Sequence, residues 1–294
     1  MKTFLAVDLG GTNIRVGLVD EKCNIVENLR EKSIHHDNDA LYQQIHRMIK
    51  TILTMSDRPD EIKYCGISAA GFIRDDVLEF SPNLQINHFE LVSGLRKDFP
   101  SIHFHIANDA NASALNEHLN GAAKGCKTSF FFTVSSGIGC GLVYNNKLVN
   151  LPLEGGHNYV SYQGRFWELE QLCSGNGIVN LARLNGLDVP DAASLFAAVA
   201  SNDSKAIKVY EDWLKIFGSY LANIQMCFEP EVIVMSGGVM KSEAIFINDL
   251  LSVANAFVAP FPVNKVRFVD ASFAQDTGLT GGAALAMEDD AIDL

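Results

Sequence analysis

Apolar positions come in short runs near the start of the chain and in helical stripes towards its end. Phe4-Leu5-Ala6-Val7 is an apolar run closed by Asp8, and Gly10-Gly11-Thr12 turns the chain. Ile14–Val19 alternates and reads as a second strand; Ile25–Leu29, after a polar turn at 21–24, reads as a third. From 38 to 55, Leu41, Ile45, Met48, Ile49, Ile52 and Leu53 fall at helical spacing. Ile62–Ser68 predicts a buried strand ending in Ala69-Ala70-Gly71.

A second block starts near residue 102. Ile102–Ala107 alternates as a strand, and Asn108-Asp109-Ala110-Asn111 caps a helix running towards Leu119. Ser129–Val134 predicts a strand, Ser135–Gly141 a turn, Gly141–Tyr144 a strand, and Asn145-Asn146 a turn into 147–150. Asp8-Leu9-Gly10-Gly11-Thr12 leading to Gly17-Leu18-Val19 is echoed by residues 134–139 leading to Gly141-Leu142-Val143. Both are strand, Gly-rich hairpin, strand, the pattern of an internal repeat. A duplication of this kind predicts two similar α/β domains facing each other across a cleft. The expected division is a small domain at 1–107, joined by a C-terminal helix at 280–294, and a large domain at 108–279. The last third reads as helices over 191–201, 205–227 and 242–257, with strands at 232–235 and 266–269. Thr280-Gly281-Gly282 opens an Ala-rich helix to about Met287.

Composition narrows the function. The 294 residues are 48% hydrophobic and 20% charged, which excludes a disordered chain. A net charge of −12 disfavours a nucleic-acid partner, which needs a basic face. The apolar run before Asp8 is too short for a secretory leader, and the stretch 195–200 is far short of a membrane span. Cysteines 23, 65, 126, 140, 173 and 227 form no CxC or CxxC pair, so reduced thiols in a cytoplasmic protein are expected.

Candidate chemistry sits in the turns. Gly10-Gly11-Thr12, Ser136-Gly137 and Gly237-Gly238 each follow an apolar strand. Glycine lets backbone N–H groups approach a phosphate closely, and the hydroxyls add donors. A tight hairpin alone would also use such glycines, but three of them on a repeat favour nucleotide binding. Neither GxxxxGK[ST] nor a strand–GxGxxG–helix unit occurs, so P-loop and dinucleotide-binding readings fall. Asp8 beside phosphates implies an intervening Mg²⁺, held through water, or else an Asx-type turn cap. Asp109, at a strand end, suits either a helix cap or a base that accepts a hydroxyl proton. Glu154, His157 and Glu170 suit hydrogen bonds to vicinal sugar hydroxyls.

With these motifs in order, the chain resembles the ROK-family sugar kinases of the actin-like ATPase superfamily. The residues that carry the resemblance are DLGGTNIRVGLVD (8–20), GISAAG (66–71), NDANASAL (108–115), VSSGIGCGLVYNNKLV (134–149), EGGH (154–157), ELEQLCSG (168–175) and SGGV (236–239). The resemblance implies a duplicated ribonuclease H-like α/β fold with a sugar and Mg²⁺–ATP cleft. It implies phosphate contacts from Gly10, Gly11, Thr12, Asn13, Ser136 and Gly137, with Gly237 and Gly238 on the adenosine side. It places Asp109 as catalytic base, and Gly71, Asn83, Asn108, Glu154, His157 and Glu170 at the sugar. The implied reaction is ATP-dependent phosphorylation of a hexose or N-acetylhexosamine at its 6-hydroxyl, with glucose and N-acetylmannosamine the leading acceptors. A homodimer is the family's habit.

Two departures stand out. Ser135-Ser136-Gly137-Ile138-Gly139-Cys140-Gly141 replaces the frequent GTGIGGG, so Cys140 brings a side chain close to a tight turn. Many relatives follow the EGGH histidine with a CxCGxxGC loop holding structural zinc. None of the residues between His157 and Glu170 is cysteine, so no zinc is expected. Tyr159, Tyr162, Phe166 and Trp167 suggest an aromatic cluster as the local staple instead. Other readings are a sugar-responsive repressor, whose helix-turn-helix extension has no room before residue 8, and a non-catalytic sugar-binding or actin-like ATPase regulator.

Overall fold

A computed structural model describes residues 2–273 and 277–292. In chain order the elements are β1 (Thr3–Leu9), β2 (Asn13–Asp20), β3 (Ile25–Lys32), α1 (Asn38–Met55), β4 (Tyr64–Ala69), β5 (Phe72–Arg74), β6 (Val77–Ser81), β7 (Ile86–Phe89), α2 (Leu91–Asp98), β8 (His103–Asn108) and α3 (Asp109–Leu119). Then follow β9 (Ser129–Val134), β10 (Ile138–Tyr144), β11 (Lys147–Leu148), β12 (Tyr159–Tyr162), β13 (Arg165–Glu168), α4 (Glu170–Cys173), α5 (Gly175–Leu184), α6 (Ala192–Ala200), α7 (Ser204–Phe228), β14 (Val232–Ser236), α8 (Glu243–Val258), β15 (Phe268–Asp270) and α9 (Thr277–Ile292). Among the described residues no helix is long and apolar enough to cross a membrane.

The chain divides into two compact units. One comprises Met1–Lys124, Leu148–Pro152 and Gln275–Leu294; the other comprises Gly125–Lys147 and Leu153–Ala274. The first unit therefore runs past residue 107 and includes α3. The C-terminal helix α9 belongs to it, and residues 293–294 of the expected range 280–294 lie outside the described ones.

In the first unit the sheet order is β3-β2-β1-β4-β8. β1 pairs antiparallel with β2, and β2 with β3; β4 joins β1 in parallel, and β8 joins β4 in parallel. β1 is buried on both faces. Leu5, Val7 and Leu9 share a core with the α1 stripe Leu41, Ile45, Met48, Ile49 and Ile52. Ala6 on the opposite face packs with Leu279 and Ala283 of α9. Period-two strand and 3.6-residue helix patterns thus meet where the sequence places them. α9 begins at Thr277, earlier than its Thr280-Gly281-Gly282 motif. Those glycines lie inside the helix because Gly281 seats it against Ala112 of α3, where a Cβ would come within 3.1 Å.

In the second unit the order is β11-β10-β9-β14-β15, with β9–β10 antiparallel and β9–β14–β15 parallel. Numbering the strands of each five-stranded sheet in chain order gives 3-2-1-4-5 both times, so the repeat seen in the sequence is a repeat of topology. α7 packs Trp213 and Phe217 among Phe132, Phe196 and Phe246, with Trp213 ring centroids 5.5 Å from Phe196 and 5.1 Å from Phe246.

Candidate active site

The Asp8 side of the site begins at the β1–β2 turn. Leu9 pairs with Ile14, leaving residues 10–13 to form the turn; Gly10 N–H donates to Asn13 O at 3.2 Å. The Ser33 hydroxyl donates to Gly10 O at 2.6 Å and fixes the turn from β3's end. The next pair in register is Asp8 with Arg15, and Arg15 Nε donates to Asp8 Oδ2 at 2.8 Å. Arg30 of β3 stands opposite Arg15. Asp8, Gly10, Thr12, Asn13, Arg15 and Arg30 line a concavity of about 370 Å³. The first turn of α9 abuts Asp8 closely enough that a Cβ at Gly278 would collide with its carboxylate. A helix N-terminus there favours the negative charge.

Gly11 lies against Asn83, where an added Cβ would come within 2.5 Å of the Asn83 Cβ. The expected phosphate turn and the expected sugar residue Asn83 are therefore neighbours. Asn108 ends β8 and caps α3: its side-chain oxygen accepts from Ala110 N–H at 2.9 Å, and its amide donates to Gly71 O at 3.0 Å. Asn108 thus fills the capping role open to Asp109 in the sequence. Asp109, at the first helical position, keeps contact with water, and its Oδ1 also accepts from Ala110 N–H at 2.9 Å. Desolvation, the largest influence, raises its carboxyl above the ordinary carboxylate range. The Ala110 N–H opposes this shift, and the Asp8 charge adds to it.

The second unit contributes the β9–β10 turn. Ser135 is its tie-point. It donates its N–H to Gly137 O at 2.9 Å, receives Gly175 N–H at 2.6 Å on its carbonyl, and receives Gly238 N–H at 3.3 Å on its hydroxyl. Ser136-Gly137, Gly237-Gly238 and the start of α5 are thereby joined. Gly237 has φ +101°, and a Cβ there would strike the Val134 backbone, so no other residue fits this turn without strain.

Glu170, first residue of α4, accepts from Ile138 N–H at 3.3 Å and lies over Gly137 and Gly156. A concavity of about 420 Å³ runs from Ser136 and Glu170 to Trp167, Asn176 and Asn180. His157 closes the 3-10 turn Gly155–His157, and its Nδ1–H donates to Glu168 Oε2 at 3.0 Å. That bond raises the imidazole's proton affinity most; desolvation opposes it, and the charges of Glu170, Glu168 and Glu154 support it. Among the described residues, His157, Glu168 and Glu170 are also the group whose donor atoms approach one another most as metal ligands would, within 4.8 Å.

Cys140 does not enter the phosphate turn. Its side chain is buried against Gly155, and its Sγ–H donates to Leu153 O at 2.9 Å. Burial pushes the thiol up to about 12, so it remains protonated. The expected aromatic staple does not form. Tyr159 is 71% and Phe166 79% exposed, and none of the four rings pairs with another. The hairpin β12–β13 points these two side chains outward. It is held instead by Tyr162, whose hydroxyl donates to Asp212 at 2.7 Å and accepts from Asn185 at 2.7 Å.

Sequence reasoning missed Ser135, Arg15, Arg30 and Glu168. Arg15 was within reach, because a hairpin closing at Leu9–Ile14 places residues 8 and 15 opposite each other.

A fold of two 3-2-1-4-5 sheets, with Gly turns and acidic side chains at their strand ends, defines an actin-like ATPase architecture. The chain belongs to the ROK family, whose model matches residues 4–289. It is 27% identical over 313 residues to a glucokinase of Thermotoga maritima, covering 97% of each chain. It is 29% identical over 301 residues to an N-acetylmannosamine kinase of Citrobacter koseri, covering 97% of this chain and 99% of that one. The ROK hexokinase of Thermus thermophilus shares the fold, with a TM-score of 0.81, 24% identity and 99% of each chain covered.

Proposed function

We propose that this chain is an ATP-dependent sugar kinase that phosphorylates the 6-hydroxyl of a hexose or N-acetylhexosamine. The observation that carries the reading is the division of labour at 108–109. Asn108 caps α3 and shares the Ala110 N–H with Asp109 Oδ1 at 2.9 Å, which leaves Oδ2 of the Asp109 carboxyl, whose proton affinity is raised, for the acceptor. As the hydroxyl oxygen attacks the γ-phosphorus, Asp109 takes its proton; the new O–P bond forms, the bond to the β-phosphate oxygen breaks, and ADP leaves.

The residues of the β1–β2 turn fit Mg²⁺–ATP. Asp8, with its hard carboxylate oxygens, and Thr12, with its hydroxyl, line the same concavity of about 370 Å³. These two groups would hold the ion, which when bound would neutralise phosphate charge. With the Gly10 N–H spent on Asn13 O to shape the turn, N–H groups at Gly11–Asn13 and Ser136–Gly137 orient the phosphates, while Gly237-Gly238 receives the adenosine side. Gly71, Asn83, Asn108, Glu154, His157 and Glu170 bind the acceptor. The kinase names of the relatives favour glucose or N-acetylmannosamine as that acceptor.

An ADP-coupled screen tests the reading with glucose, N-acetylmannosamine, N-acetylglucosamine, fructose, allose and a β-glucoside. Acceptor-dependent ADP release with a stoichiometric 6-phosphate product is expected. ADP release that no sugar changes would overturn it.

A further inference from the structure

We propose that Glu168 is a positioning residue that orients His157 towards the acceptor. This rests on the sugar-kinase reading above.

The local fold makes the pairing unavoidable. In the hairpin β12–β13, Tyr159 pairs with Glu168 and Tyr162 with Arg165, so closing the Gln163-Gly164 turn brings the two flanking segments together. Leu169 N–H donates to Asn158 O at 2.8 Å just beyond the last pair. His157 precedes that closure on one side and Glu168 ends it on the other, leaving Nδ1 and Oε2 3.0 Å apart. The Glu168 backbone N–H is itself held by Gln171 Oε1 at 3.0 Å, which ties the residue to α4. An ionised carboxylate can only accept, so Nδ1 carries the proton and Nε2 is the nitrogen left for a ligand.

The charge balance points the same way. The titratable groups facing the imidazole are Glu154 from the preceding loop, Glu168 from β13 and Glu170 from α4. Glu170 is engaged by Ile138 N–H and bends over Gly137 and Gly156, so Glu168 is the carboxylate that bonds the ring. His157 and Glu168 both keep solvent access, with side chains 46% and 30% exposed, so the ring can reach a small ligand while it stays tethered. A fixed ring nitrogen loses less freedom on binding the acceptor than a rotating one, which lowers KM more than it changes kcat.

The test is steady-state kinetics of Glu168→Gln and Glu168→Asp on the better used of glucose and N-acetylmannosamine, over pH 5 to 9, with circular dichroism and metal analysis of each protein. Glu168→Gln is expected to raise acceptor KM about tenfold, with kcat within about threefold. The inflection of acceptor KM with pH is expected to move to lower pH, because the carboxylate that favours the imidazolium is gone. Glu168→Asp restores part of both. A folded Glu168→Gln with unchanged KM and inflection overturns the proposal, as does stoichiometric bound metal whose removal reproduces the Gln phenotype. Should Glu168→Gln fail to fold, the Asp variant decides on the same two readouts. A wild-type protein that phosphorylates neither sugar overturns the kinase reading along with it, so the two failures are told apart.

Discussion

The proposed mechanism concentrates its proton transfer in one side chain, Asp109. Its carboxyl is raised by desolvation first and by the charge of Asp8 as well. The acid limb of kcat/KM, which reports the free enzyme, is therefore expected above the ordinary carboxylate range in a pH–rate profile. The same shift fixes a stability sign. A carboxyl whose folded-state proton affinity is raised contributes stability when protonated and loses it as pH rises from its unfolded to its folded value. At neutral pH the charged group thus works against the fold. Asp109→Asn is expected to raise Tm at pH 7, with the gain gone near about pH 3, where both states are protonated. An unchanged or lowered Tm at pH 7 would contradict the desolvation argument. The candidate role of Asp109 was legible in the sequence because a strand end, Asn-Asp and a helix start occur together. Which of the two residues caps the helix was not, because Asn and Asp are equivalent caps.

Elements explain why parts of the fold were harder to read. Most strands of both central sheets were legible from apolar or alternating runs of four to seven residues, and α1 and α7 from their stripes; the two-residue β11 was not. The small sheet β5–β7 and the hairpin β12–β13 were not. Their strands are three to five residues long, too short for a period to register. Their turns also break compositional habit. Gln163 takes φ +49°, a conformation usually announced by Asn, Asp or Gly, and Asp75 and Asp76 take φ +49° and +63° with no glycine beside them. The Asn145-Asn146 turn, also left-handed at φ +51° and +61°, was legible because Asn tolerates it. Two predictions belong at this scale. Gly237→Ala adds a Cβ against the Val134 backbone at a left-handed φ, and should destabilise by roughly 2–4 kcal/mol in denaturant titration. Tyr162→Phe removes a bond to a carboxylate and two from amides, those of Asn185 and Gln163, at about 1.5–3 kcal/mol. If aromatic packing held the hairpin instead, Tyr162→Phe would be neutral.

At the scale of the whole molecule, the repeat of 3-2-1-4-5 sheets answers the question raised by the two Gly-rich hairpins in the sequence. The candidate residues are distributed over both units: Asp8, the β1–β2 turn and Asp109 in one; Ser135–Gly137, His157, Glu170 and Gly237 in the other. The cysteines follow the cores. Cys65 and Cys173 are fully buried and Cys140 nearly so, with thiols raised by desolvation. Cys227 is exposed and Cys126 partly so. Maleimide labelling read by intact mass should therefore modify Cys227 first and Cys126 more slowly, leaving those three untouched until the chain unfolds. Fast labelling of Cys140 in the native protein would contradict its place beneath Gly155.

The central claim is that Asp109 takes the acceptor's proton. The most direct measurement compares wild type and Asp109→Asn in an ADP-coupled assay on the preferred sugar, with calorimetry of sugar binding to each. The account predicts that kcat falls on the order of 10²–10⁴-fold while sugar affinity changes only a few-fold. Turnover within a few-fold of wild type in a protein that still binds the sugar would contradict it.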